Sequence, residues 1–517
     1  MAAGACEAAH PPQKPRRNYY AYACGFLASM TSILSGYDIG VMSGAVIFIK
    51  KDLNITDVQV EIIAGVLQVY SLVGALAAGR TSDWLGRRYT IVLAGCIFFV
   101  GALVMGFASS YGWLMAGRFI AGVGVGYALM IGPVYTAELA PASSRGFLSS
   151  FPEVFINVGI LLGYVSNFAF AKLPLRLGWR LMLGVGAIPS LIIAIAVLVM
   201  PESPRWLVMQ GRMSDAKRVL ERTSSSPQEA AVRLADIKSA AGVMEEGDSV
   251  VSVPKKHHGE GVWRELFIRP KPHVRRIMVA TLGIHFFQQA SGIDSVVLYS
   301  PRVFDKAGLN KSAALLATVA VGFTKTLFIL VATFTLDKFG RRPLLLTSVG
   351  GMIVTLVGLG TGMTVVGHHS QKVEWAVGLS FASIMAYVAV FSIGMGPITW
   401  VYTSEIFPLR LRAQGASFGV VVNRMMSGAV AMTFLSLSNA ITIGGAFFLY
   451  AGFAIAAWIF FFTLLPETKG KSLEETEALF GRKKDAVPAL AAAAAPGELQ
   501  MGAKKDVSTI PLEDGRV

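Results

Sequence analysis

The chain has 517 residues, of which 54% are hydrophobic and only 15% charged, against about 25% charged in a soluble globular chain. That balance excludes a water-soluble globular protein. The net charge of +14 does not point to nucleic acid either, because the basic residues are spread over two tails, a central loop and short inter-helix loops, as positive-inside topology distributes them. The three cysteines, Cys6, Cys24 and Cys96, imply no disulfide framework.

In chain order, a polar tail (1–18) with Lys14, Arg16 and Arg17 precedes an apolar segment that begins near Tyr19 and runs to about Val41. The outline is that of a signal peptide, but the segment is long and carries Gly36-Tyr37-Asp38, which an h-region does not need. It is expected to remain as the first of six helices over 19–200, with apolar runs at 91–108 and 181–200 among the others. A polar segment (201–276) follows, with Asp215-Ala216-Lys217-Arg218 in a helical pattern, a serine turn at 224–226 and basic pairs at Lys255-Lys256 and Arg275-Arg276. Short interfacial helices on the cytoplasmic side are expected there. Six more helices occupy 277–465, with runs at 344–366 and 446–465, and the tail (466–517), with alanines at 491–495, reads as disordered. The fold class is an all-α membrane protein of about twelve transmembrane helices in two six-helix bundles, with both termini cytoplasmic. The two sequons, at Asn54 and Asn310, fall in loops that this topology places outside.

The halves repeat each other. Asp83-Trp84-Leu85-Gly86-Arg87-Arg88 returns as Asp337-Lys338-Phe339-Gly340-Arg341-Arg342, and Val134-Tyr135-Thr136-Ala137-Glu138 as Val401-Tyr402-Thr403-Ser404-Glu405. Arg145 and Arg412 each follow seven positions after those glutamates, and Pro201-Glu202-Ser203 returns as Pro466-Glu467-Thr468. Ordered matches of this kind are expected of two parallel transporter halves. All these charges sit at inside helix ends, where they could pair across the halves when the inside is closed and part when it opens. The alternative is that each Asp-x-x-Gly-Arg-Arg turn only caps helices and orients the chain.

With Gly79-x3-Asp83-x2-Gly86-Arg87-Arg88, Gly117-Arg118-Phe119, Pro201-Glu202-Ser203-Pro204-Arg205-Trp206-Leu207, Gln288-Gln289-x-Ser291-Gly292, Gly396-Pro397-Ile398-x-Trp400 and Pro466-Glu467-Thr468-Lys469-Gly470, the chain resembles the sugar porter family of the major facilitator superfamily from about Tyr19 to Glu474. The run Gln288 to Asp294 followed by Leu298-Tyr299-Ser300-Pro301 is similar to plant polyol and monosaccharide transporters. The resemblance implies a major facilitator fold, a small polyol or monosaccharide as substrate, and sugar contacts from Gln288, Gln289, Trp400 and Asn423. Glu153 and Asp294 depart from it, standing where many sugar porters carry Gln and Asn.

The residues argue in the same direction. Gln288, Gln289, Ser291, Gly292 and Asp294 lie on a helix of about 28 residues from Arg276, near mid-membrane, where polar groups must find protein, water or ligand. Gly292 weakens the helix, so local unwinding could turn Asp294 toward the glutamines. Tyr299, eleven positions after Gln288, falls almost on the same face. Polar contact between helices is the alternative account of the cluster. Acceptor-only carboxylates at Glu153 and Asp294 suit a linear polyol, which offers a hydroxyl donor at every carbon; buried without a cation, they would become neutral.

For coupling, Asp38 is placed about five residues from the outer end of the first helix and Arg118 about seven after the start of the fourth, so their depths agree within a few ångströms at 1.5 Å per residue. A proton on Asp38 would decide whether the pair holds, since Arg118 does not titrate. In the resembling family an acid at this position marks proton symporters; a static buried pair is the alternative. Glu153, about 12 Å deep, is a rival proton carrier, and His285 is expected to be a neutral hydrogen-bonded ring. Gly122-Val123-Gly124-Val125-Gly126 reads as helix packing, not a nucleotide loop. No Walker motif, metal-ligand spacing or catalytic triad is present, so no enzyme activity, ATP hydrolysis, metal or cofactor is expected. The partners expected are protons, the solute and the bilayer of, by default, the plasma membrane, with a monomer sufficient. Uncoupled facilitation and nontransporting sugar sensing are the competing functions.

Overall fold

The computed structural model describes residues 19–139, 148, 150–241, 270–369, 373–407, 411–469 and 479–480. Helices α1 (Tyr19–Ser29) and α2 (Ser32–Leu53) make the first crossing. Next come α3 (Asp57–Leu85), α4 (Arg87–Gly106), α5 (Tyr111–Leu139) and α6 (Phe151–Phe170), and then α7 (Leu175–Gly184) with α8 (Ala187–Leu198). Three short helices, α9 (Pro204–Met209), α10 (Met213–Thr223) and α11 (Pro227–Ala241), fall in the polar segment. The second half runs through α12 (Pro272–Ala290) with α13 (Ile293–Lys306), α14 (Lys311–Phe339), α15 (Arg341–His368), α16 (Glu374–Ile393) with α17 (Met395–Ile406), and α18 (Arg412–Leu464).

Ten helical stretches among the described residues are long and apolar enough to cross a bilayer. The last of them leaves helical geometry at Ile441 and Thr442 and is therefore two crossings. The polar-rich pair α12–α13 completes the expected twelve. The first crossing is longer than the sequence suggested: the apolar run continues through Ile47-Phe48-Ile49, and the helix ends at Leu53, where Asn54 takes a left-handed φ of 51°. Asp38 therefore lies fifteen residues from that end, not five.

Two faces follow from this order. The turns at Gly86 and Gly340 define a basic face bearing Arg87, Arg88, Arg341 and Arg342. The turns before α3 and α14 define the opposite face, where each helix is capped by its own sequence: Thr56 Oγ1 accepts from Gln59 N at 3.3 Å, and Asn310 Oδ1 accepts from Ala313 N at 2.8 Å. The basic-face turns use glycine at φ +95° and +92°, which residues with a Cβ rarely adopt. At Gly86 a Cβ would also meet the Glu202 carboxylate at 2.5 Å.

Small residues set the helix spacing. A Cβ on Gly36 would strike the Ile156 carbonyl and one on Gly159 the Ile33 carbonyl, so α2 and α6 touch backbone to backbone. Gly122 and Gly126 lie against Tyr70 and Ser71 of α3 in the same way, as expected of a packing run. The halves meet along α3 with the first part of α18, α6 with α14, and α2 with α13.

Candidate functional site

The break expected at Gly292 is present. Its φ of +86° ends α12 and starts α13 in a new direction, and a Cβ there would collide with the Tyr450 ring. Tyr387 Oη donates to the freed Ser291 carbonyl at 2.9 Å, satisfying a backbone group that neither helix serves. Upstream of the break, Gln288 Nε2 donates to the carbonyls of Met395 and Gly396, each at 3.1 Å, and these belong to the second helix break, at Gly394 between α16 and α17. Gln288 Oε1 accepts from Asn423 Nδ2 at 2.6 Å, and Gln289 Nε2 donates to Asn423 Oδ1 at 3.2 Å. Gln289 Oε1 is buried with no hydrogen-bond partner among the described residues. The three amides thus form one buried cluster with an acceptor to spare.

Downstream of the break, Asp294 accepts a short hydrogen bond from Ser427. It shares its surroundings with Glu153 of the first half and with two cations that sequence reading missed, Lys325 on α14 and Arg424 on α18. Each is 8% exposed. Glu153 lies in the fields of Lys325 and Arg424, and both cations lie in the fields of Glu153 and Asp294. Arg424 also donates to Gln68 Oε1, across the halves, at 3.0 Å. The two carboxyls are therefore not buried without a cation. The signal was present: a lone lysine inside the long apolar α14 is costly unless paired or functional.

Asp38 and Arg118 meet in the first half. Arg118 Nη1 donates to Asp38 Oδ1 at 2.6 Å and Nη2 to the Ala64 carbonyl at 3.3 Å, with the two residues 2% and 0% exposed. The pair forms although the depth argument rested on too short a first helix.

One residue sits differently from expectation. Tyr299 no longer shares a face with Gln288, because the break redirects α13; its hydroxyl donates to the Ala431 carbonyl at 2.8 Å and its ring stacks on Phe434 at 5.0 Å. Trp400 presents its ring to His285 edge-on, with centroids 5.2 Å apart, while His285 Nε2 lies 3.2 Å from Thr403 Oγ1.

On the basic face the described charges pair within each half, not across the two. Arg87 contacts Asp83 at 3.1 Å and Glu138 at 3.3 Å, and Arg341 contacts Glu405 at 2.8 Å. Glu202 accepts from the backbone N–H groups of Arg87 and Arg88, and Glu467 from those of Arg341 and Arg342, so each Pro-Glu motif caps the helix after its Gly turn. Burial pushes the Glu202 carboxyl above its ordinary range, and the backbone donors of Ser203, Arg88 and Arg87 oppose that. Ser203 and Thr468 donate to Glu138 and Glu405 in turn. Arg145 and the side chains of Asp337 and Arg412 lie outside the described residues, as do Lys255-Lys256, residues 1–18 and most of 466–517.

At the opposite face the contacts cross between halves. Glu61 of α3 accepts from Ser436 N at 2.7 Å and from Ser436 Oγ at 2.5 Å, and Arg302 of α13 lies 3.7 Å from Asp57. Nearer the middle, Tyr164 Oη donates to the Val297 carbonyl at 2.7 Å. The halves are latched here.

Residues 24–480 match the sugar (and other) transporter family. Polyol transporter 5 of Arabidopsis thaliana is 66% identical over 477 residues, 92% of this chain and 88% of that protein. Among solved structures, the proton:xylose symporter XylE bound to 6-bromo-6-deoxy-D-glucose aligns at a TM-score of 0.74 with 29% identity, covering 90% of this chain and all of that one. The inward-open xylose transporter XylE from E. coli gives 0.73 at 28% identity, covering 89% and 100%. With twelve crossings in two repeated halves and a family match over most of its length, the chain belongs to the sugar transporter family and has the major facilitator fold.

Proposed function

We propose that the chain is a proton-coupled symporter of polyols and monosaccharides working by alternating access between a first half (19–200) and a second half (277–465). The basic face, both tails (1–18 and 466–517) and the segment 201–276 are cytoplasmic, the membrane is the plasma membrane, and a monomer suffices. The observation that carries the coupling is the buried Asp38–Arg118 pair at 2.6 Å. Similarity to a polyol transporter and to a proton:xylose symporter supports the substrate class and the coupling ion.

The substrate lies between the amide cluster and the charge set. Gln288, Gln289 and Asn423 offer donors and acceptors to hydroxyls, Gln289 Oε1 being already unpartnered. Glu153 and Asp294 accept from hydroxyls along a linear chain while Lys325 and Arg424 balance their charge and donate in turn. Trp400 covers the apolar side of the carbon chain. Tyr299 acts indirectly, by fixing α13 to α18 through the Ala431 carbonyl. A proton on Asp38 releases Arg118, loosening α2 against α5 and favouring the change of access; loss of the proton restores the pair. With about 100 mV and one pH unit, one proton supplies about 2.3 plus 1.4 kcal/mol, enough for several-hundred-fold accumulation.

The charges of the basic face form the inner gate. Asp83, Arg87, Arg88, Glu138, Arg145, Glu202 and their counterparts Asp337, Arg341, Arg342, Glu405, Arg412 and Glu467 pair across the halves when the inside closes, the within-half pairs of Arg87 and Arg341 parting as the opposite-face latch at Glu61 lets go.

Voltage-clamped cells expressing the protein, given linear polyols and hexoses at acidic external pH, test the reading. Inward current with sorbitol is expected. Labelled uptake without current would mean uncoupled facilitation and remove Asp38 from the mechanism.

A further inference from the structure

A cleft of about 540 Å³ opens on the basic face between the first turns of α12 and the end of α18. It lies apart from the substrate site and from every residue used there. Arg275, Arg276 and Arg342 line it, and among the described residues no aspartate or glutamate does. The nearby acid Glu467 is occupied with the backbone N–H groups of Arg341 and Arg342.

The three guanidinium groups have donors left over. Arg276 gives one hydrogen bond to the Phe480 carbonyl at 3.2 Å, and Arg342 gives one to the Phe462 carbonyl at 2.6 Å while lying over the Phe462 ring. The Arg275 guanidinium has no partner among the described residues. Each guanidinium carries five N–H donors, so all three arginines keep donors for a ligand beyond the bonds they make here.

The rest of the lining is mainly apolar, and part of it is turned outward. Val279, Phe462 and Leu464 are 46%, 53% and 47% exposed, on helices that cross the membrane and at the level where the crossing ends. A ligand of matching chemistry is anionic at one end and hydrocarbon at the other. A free phosphate would leave the apolar wall unused, and a soluble acidic peptide would have to enter the acyl region. Basic pockets of this kind at helix ends bind anionic lipid head groups.

The geometry points to a binding site for one anionic phospholipid, its phosphate held by Arg275, Arg276 and Arg342 and an acyl chain laid along Val279 and Phe462. Occupancy ties the start of α12, and so the helix that carries Gln288 and the Gly292 break, to the end of α18.

Native mass spectrometry of the full-length protein tests this, using phosphatidylglycerol or phosphatidylinositol against phosphatidylcholine, with R275Q and R275Q/R276Q beside the wild type. Sorbitol binding, read by tryptophan fluorescence, reports that each variant is folded. The wild type is expected to retain one anionic lipid per chain in preference to phosphatidylcholine. The double variant should bind it about 30-fold and the single variant about fivefold more weakly, both with sorbitol affinity in detergent unchanged. Equal retention of anionic and zwitterionic lipid, retention unaffected in folded variants, or complete displacement by millimolar inorganic phosphate would each overturn the assignment.

Discussion

Two buried ionic regions in this molecule are built on opposite plans. Asp38 and Arg118 form a closed couple inside the first half, one acid against one base at 2.6 Å. Glu153, Asp294, Lys325 and Arg424 form an open set shared between the halves, in which the acids and cations act on one another through space and the described hydrogen bonds go to Asn157, Ser427 and Gln68. A closed couple has two states, paired and parted, and one proton selects between them. An open set keeps its lone pairs and N–H groups available, which is what a ligand made of hydroxyls needs. On this contrast rests the proposal that coupling belongs to the first region and recognition to the second.

Asp38→Asn strikes the contrast hardest. Concentrative uptake should fall to equilibration, a loss of several-hundred-fold accumulation, while exchange of labelled for unlabelled sorbitol persists; accumulation that survives would move coupling to the open set. Gln288→Ala removes two donated bonds and one accepted bond and should weaken sorbitol binding about 10- to 100-fold, measured by fluorescence titration, with the proton-to-sorbitol ratio intact.

Lys325→Met and Glu153→Gln sharpen the account of the open set. Each alone should lower stability in a thermal melt by about 3 kcal/mol, by leaving a charge uncompensated. The double variant should recover about 1–3 kcal/mol of the summed loss; strict additivity would mean that the two charges do not interact. Glu61→Gln at the opposite-face latch is the mildest change, losing a charge-assisted contact to Ser436 worth about 1 kcal/mol. It should raise the population open at that face about fivefold, read as cysteine labelling from that side.

Much of this was legible in the sequence. The repeated Asp-x-x-Gly-Arg-Arg and Pro-Glu motifs gave the two halves, because identical helix ends need identical caps, and Gly292 marked its own break, because it alone in that run tolerates φ of +86°. Tyr299 was misplaced for the same reason: helical spacing stops counting once the helix bends. Lys325 was overlooked because it interrupts an apolar helix only once, and the partners that make a buried lysine tolerable, Glu153 and Asp294, are remote in sequence. The within-half pairing on the basic face could not be read from the repeat, since two copies of one motif pair equally well on paper with themselves or with each other.

Proton movement driven by polyol alone is the most direct test of coupling through Asp38. In proteoliposomes with no pH or voltage gradient and a trapped pH dye, an inward sorbitol gradient should acidify the lumen with the wild type and leave it unchanged with Asp38→Asn. Sorbitol entry through the wild type without acidification would contradict the account.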